Sequence, residues 1–160
     1  MKNKEIQQSL LAHSMNQQQV VNASHLLILC IQKELTTEDI ESYFNLVKNT
    51  RNTPDEIINP FKNYLKDTIS SKSNDEILSW AKNQAYIALG NLMTVAANER
   101  IDSCPMEGFT PEKYDEILSL KSHNLTAVLV LPVGFRAEDD YMKDLKKVRR
   151  KISDIVIEIT

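Results

Sequence analysis

The stretch from Trp80 to Phe109, WAKNQAYIALGNLMTVAANERIDSCPMEGF, limits this chain's possible folds most. Its first two thirds read as one long helix. Between Ala85 and Ala97 that helix is apolar on almost every face, with small residues (Ala85, Ala88, Gly90, Ala96, Ala97) between larger ones (Ile87, Leu89, Leu92, Met93, Val95). A surface helix shows an apolar stripe, whereas one apolar all round has to be enclosed by protein. Asn83, Gln84, Asn91 and Asn98 interrupt it too often for a membrane span. A buried central helix is expected, its small residues suited to close approach by another backbone. Pro105-Met106-Glu107-Gly108-Phe109 then predicts a sharp turn, where backbone N–H groups can face a ligand.

A length of 160 residues suits a single domain, 1–160, with a real core. The net charge of −3 offers no general attraction to nucleic acid or to an anionic membrane. With only Gly90, Gly108 and Gly134 the chain can contain neither GxGxxG nor a P-loop, which excludes Rossmann and Walker nucleotide sites. Cys30 and Cys104 follow no metal-ligand spacing, and Cys30, inside an apolar run, reads as a buried reduced thiol. No apolar run follows the first lysines, so a secretory signal is not expected and the cytoplasm is the expected compartment.

Residues 3–22 predict one or two short helices broken near Ser14–Asn16, and HLLILCI (25–31) a strand covered on both faces. Thr36 or Thr37 caps a helix to about Asn49, with Ile40, Tyr43, Phe44 and Val47 inward. Thr53-Pro54-Asp55-Glu56 reads as a capping box opening another helix, which Pro60 should kink or split and whose apolar face Phe61, Leu65 and Ile69 continue. Ser71 to Asn74 caps the entry to the central helix, and Thr110-Pro111 begins a short helix to Leu120. Leu125 to Gly134 is a second buried strand, although Pro132 argues against a middle-strand position. After a basic run, Lys143 to Lys151, the alternation of Ile155, Ile157 and Ile159 predicts a final strand. So few strands and helices leave sheet and core incompletely covered, which calls for dimerisation or for a further piece.

Five patterns together resemble the nitroreductase family of FMN-dependent, NAD(P)H-using, oxygen-insensitive flavoproteins. They are AxxQxYxALGNLxxxAA (Ala81 to Ala97), PMEGF (105–109), NQxQxVxASH (Asn16 to His25), the strand ending LPVGFR (Val128 to Arg136) and LxKVR (Leu145 to Arg149). The resemblance implies an α+β fold, a mixed sheet flanked by helices around a long central one. It implies a homodimer joined through that helix and the C-terminal segment, with one FMN in each interface cleft. Electrons would pass by a ping-pong route from NADH or NADPH to nitroaromatic, quinone or flavin acceptors, with neither nucleic acid nor membrane as partner. It further implies that the backbone at Met106, Glu107 and Gly108 faces flavin N5, that Lys147 and Arg149 hold the phosphate, and that Asn16 and Gln19 meet the pyrimidine edge.

Each of those segments also has a plainer reading. The turn could simply end a helix, Lys147 and Arg149 sit in a run that could be solvated, and Asn16 and Gln19 open a polar helix. His25 and His13 read as structural, and Asp115, Glu116, Asp139 and Asp140 as surface charges. No catalytic side chain and no metal ligand set is expected, because a flavin carries the hydride chemistry itself. Family chains carry an arm of several dozen residues ahead of the point matching Met1, with a basic phosphate motif, a PSSxNxQP stretch and one strand, and nothing here matches it. That leaves a second reading, a flavin-free dimeric binding or structural protein. Flavin uptake separates the two.

Overall fold

A computed structural model describes residues 1–159. Six α-helices and three strands follow in the order α1 (Lys4–Leu11), α2 (Gln19–Asn22), β1 (His25–Gln32), α3 (Thr37–Arg51), α4 (Asp55–Ser70), α5 (Asn74–Asn98), β2 (Asp102–Ser103), α6 (Pro111–Ile117) and β3 (Leu125–Gly134). Short 3-10 turns occupy Leu120–His123 and Ile152–Asp154. The expected α+β class is what is found. The sheet has the order β1-β3-β2 and pairs antiparallel throughout.

β3 is the middle strand, so both of its faces need cover. Along β1, Leu26, Ile28 and Cys30 point to one face and Leu27, Leu29 and Ile31 to the other, the period of two of a pleated strand. Ala127 and Val130 of β3 join the first set, with Leu10, Val20, Met106 and Tyr114. Leu129 and Leu131 join the second, against Ala85 and Leu89 of α5. Ala127 and Val130 are three apart yet share a face because the register skips Val128 between Leu29↔Leu129 and Cys30↔Ala127. One extra residue in a strand resets the alternation in this way.

Pro132 sits in this middle strand, against expectation, and β2 shows how that is tolerated. Cys104 N–H donates to the Pro132 carbonyl at 3.1 Å, so the proline nitrogen also faces the β2 side. The ladder loses its return bond there, and β2 stops at Ser103 before pairing resumes at the Met106↔Val130 bridge. On the β1 side no proton is missed.

α5 starts at Asn74, behind a complete capping box of Ser73 and Glu76, and runs 25 residues. Only Ile77, Ala85, Leu89 and Ala96 are buried in it. Ile87 (61%) and Val95 (59%) are exposed, Tyr86 and Leu92 are partly so, and among the described residues no atom beyond the helix's own local backbone lies within 4 Å of where a Cβ on Gly90 would stand. The all-round enclosure expected of this helix is therefore not met within one chain.

α3 and α4 form a hairpin with its own small core of Ile40, Phe44 and Ile58. Thr36 is the cap, in a full box with Asp39, while Thr53 makes none of the box expected of it: Pro54 itself takes the cap position, without a side-chain bond. α4 continues through Pro60 for 16 residues instead of splitting. Tyr43 and Phe61, expected inward, are more than half exposed, with Phe61 lying edge-on to Phe44. Among the described residues, no helix is long and apolar enough to cross a membrane. The predicted strand at 155–159 does not form: those residues are exposed and irregular after the Ile152–Asp154 turn. Alternation supplies one apolar face, but a strand also needs a backbone edge to pair with, and among the described residues none meets it.

Asp115 corrects a further expectation, being 3% exposed rather than a surface charge. Its carboxylate accepts from Ala127 N–H and Thr126 Oγ1, both at 2.8 Å, and meets Lys33 Nζ at 3.3 Å, fastening α6 to β3 and to the end of β1. Burial first, then this carboxylate, pushes the Cys30 thiol up from its ordinary value. Asp115→Ala strands those donors, and urea denaturation is expected to show a loss of about 2 kcal/mol.

Candidate functional site

The segment after α5 is held down at both ends and left open in the middle. Met106 exchanges both backbone hydrogen bonds with Val130 (2.8 and 3.0 Å), and its side chain lies in the core. Phe109 N–H closes the turn onto the Glu107 carbonyl at 2.9 Å, and Thr110 N–H reaches the His13 carbonyl at 2.9 Å. Between these anchors, the N–H groups of Glu107 and Gly108 have no acceptor among the described residues. Of the three positions expected to offer backbone, Met106 is spent on the sheet.

The facing wall is the turn between α1 and α2. Ser14 is fully buried; its hydroxyl bonds the Leu10 carbonyl at 2.7 Å and the Tyr114 hydroxyl at 2.8 Å. The Tyr114 ring packs at 4.7 Å from Phe109, so one buried cluster ties this turn to the 105–109 turn. Met15 and Asn16 take left-handed backbone, with φ of 53° each. Gln17 Nε2 then donates to the Gly108 carbonyl at 3.3 Å. Gly108 has no left-handed φ, and its lack of a side chain matters for space: a Cβ would come within 3.1 Å of Gln17 Nε2 and 3.2 Å of Met15 Sδ.

Asn16 is exposed beside this contact. Gln19 donates to Gln17 Oε1 at 2.8 Å and approaches Cys104 Sγ at 3.8 Å, so both expected amides border the turn. Among the described residues, neither Lys147 nor Arg149 makes a hydrogen bond or ion pair to this turn. Both are exposed in the C-terminal segment, and among the described residues the Arg149 guanidinium bonds only the neighbouring Val148 carbonyl. His25 is bonded to Ser24 Oγ at 2.8 Å, which suits its structural reading.

Three contacts went unread in the sequence. Tyr86 of α5 donates its phenol proton to Glu107 Oε1, and that bond holds the phenol above its ordinary value. Gln17 stands between Asn16 and Gln19 in the same motif, and nothing local to it announces its contact with Gly108. Arg136 grips Asp102 with two bonds, Nε–Oδ2 at 2.6 Å and Nη2–Oδ1 at 2.8 Å, beside an open cleft lined by Ala97, Arg100, Ile101 and Ser103. Tyr86 and Arg136 both stand in quoted motifs, but what each touches depends on the fold.

The sequence profile of the nitroreductase family matches residues 1–135. The chain belongs to the nitroreductase family. A provisionally named NAD(P)H nitroreductase of Staphylococcus epidermidis is 33% identical, over 96% of this chain and 72% of its own. The major NAD(P)H-flavin oxidoreductase of Aliivibrio fischeri is 28% identical, over 90% of this chain and 67% of its own. Among solved structures, a provisionally assigned nitroreductase of Exiguobacterium sibiricum in complex with FMN superposes with a TM-score of 0.83. It is 17% identical, covering 99% of this chain and 73% of that one, so the likeness concerns the fold. For this nitroreductase-family chain, an ultraviolet difference titration against Tyr86→Phe is expected to show one tyrosine ionising above the ordinary 10. Glu107→Ala should return that tyrosine toward 10, since the bond to Glu107 is the largest cause of the rise.

Proposed function

We propose that this chain is an FMN-dependent oxidoreductase that draws electrons from NADH or NADPH. The observation that carries this reading is the open pair of N–H groups at Glu107 and Gly108, fixed between the Met106 bridge and the buried Ser14–Tyr114–Phe109 cluster. The residues fit a flavin by their chemistry. Amides at Asn16, Gln17 and Gln19 can serve alternately as donors and acceptors to a pyrimidine edge, and a phosphate dianion needs cations such as Lys147 and Arg149. FMN bound there would supply hydride acceptance and onward electron donation, in alternating half-reactions, to nitroaromatic, quinone or flavin acceptors.

The protein's part is positional. A backbone N–H at residue 107 or 108 would hold a ring nitrogen of the flavin by a hydrogen bond that no side-chain rotation can remove. The Gln17–Gly108 contact keeps the two turns at a fixed separation, and the Tyr86–Glu107 bond ties the turn to α5 so that it does not drift from the helix. Two such chains would join through the open face of α5, covering Ile87, Leu92 and Val95 around Gly90. Burial of that apolar surface favours association over a solvated monomer.

The purified chain, titrated with FMN, is expected to quench the flavin's fluorescence and then to oxidise NAD(P)H when an acceptor is present. A chain that takes up no FMN supports the flavin-free reading instead. Sedimentation is expected to give a dimer, and Gly90→Arg, which sets a charge in the middle of the open α5 face, is expected to give monomers.

A further inference from the structure

Beyond Gly134 the chain has almost nothing to hold it. Phe135, Tyr141, Val148, Ile157 and Ile159 are all exposed. Backbone hydrogen bonds in this segment are local, such as Lys143 N–H to the Asp140 carbonyl and Leu145 N–H to the Met142 carbonyl. Its side-chain bonds are local as well, with Lys143 reaching Glu138 and Arg149 reaching Val148. Among the described residues, one side-chain link joins residues 136–159 to the rest of the chain by hydrogen bond or ion pair. That link is Arg136 to Asp102.

The link is placed where the segment leaves the sheet. Asp102 begins β2 and pairs with Gly134, the last residue of β3, so Arg136 reaches sideways to the strand beside its own. A guanidinium held by two parallel bonds to a carboxylate is fixed in orientation as well as in distance. Asp140 Oδ2 lies 3.9 Å from the same Arg136 Nε. The Arg136 bonds hold the Asp102 carboxyl below its ordinary value, and Lys147 adds to this from nearby. Asp102 thus has Arg136 on one side and Lys147 within electrostatic reach.

We propose that Asp102 and Arg136 are positioning residues for phosphate recognition: their two-bonded pair sets the direction in which the C-terminal segment leaves β3, and so where Lys147 and Arg149 meet the cofactor's phosphate. This rests on the reading of Lys147 and Arg149 given above. Neither Asp102 nor Arg136 touches the cofactor in this role. The pair acts only on the phosphate half of the ligand, because the ring half is met by the 15–19 and 105–110 turns, which it does not contact.

The test compares the affinities of FMN and riboflavin, which differ by the phosphate alone, in the full chain. Wild type is expected to prefer FMN, and Lys147→Ala with Arg149→Ala to lose that preference; if either fails, the phosphate reading itself falls and takes this proposal with it. If both hold, Asp102→Asn and Arg136→Gln are each expected to weaken FMN about tenfold while riboflavin stays within about twofold. Arg136→Lys keeps the charge without the two-pronged grip and is expected to fall in between. The two variants together separate position from charge. If the pair acted only through its field, losing the Asp102 anion would tighten FMN while losing the Arg136 cation weakened it. Opposite shifts, equal losses for both flavins, or wild-type FMN affinity in both variants would each overturn the proposal. The pair is half exposed, so thermal melting is expected to stay near wild type and serves as the check on folding.

Discussion

The structure depends on the need to cover β3 from both sides. A middle strand reading LTAVLVLPVG has no polar face to give to water, so it folds only where apolar partners meet it above and below. α5 provides one cover through Ala85 and Leu89; Leu10, Val20 and Tyr114 provide the other. The site follows from the same requirement. Met106 is drawn into the lower core and bridged to Val130, so the two residues after it have to turn out from the sheet edge, with their N–H groups free.

The two prolines of this region divide the work between fold and site. Pro132 removes one bond of the ladder on the β2 side, and Pro105 cannot donate at the neighbouring position. Between them β2 is reduced to two residues and a single bridge. A longer β2 would carry the regular ladder through 104–106 and hold that stretch to the sheet edge more firmly. The shortened strand leaves backbone available beside the turn formed by residues 13–17.

What could be read in the sequence was local or strongly patterned. The long helix, the capped entry to it at 71–74, the cap at Thr36, the break near Ser14 and the two apolar strands all depend on neighbours within a few residues. The family resemblance, carried by motifs along most of the chain, matched the profile found over residues 1–135. Where the expectations failed, the missing information lay far away in sequence. Ile155 to Ile159 alternate like a strand but find no edge; Asp115 reads as a surface charge until Ala127 and Lys33 arrive from β3 and from beyond β1. Pro132 looked wrong for a middle strand because the side that lacks its proton could not be known before β2 was placed.

The Trp80–Phe109 stretch shows the division most clearly. Its residue pattern determined that a long helix forms and that a turn follows it, while the enclosure on every face that its apolar residues predict is not met within this chain. Only the tertiary structure decided which face of that helix this chain covers, which of the turn's three N–H groups the sheet consumes, and that Tyr86 ties the helix to Glu107. The physical reason is one of range. Helix and turn preferences arise within a few residues and are written locally, whereas burial and hydrogen-bond partnership depend on which distant segment arrives opposite.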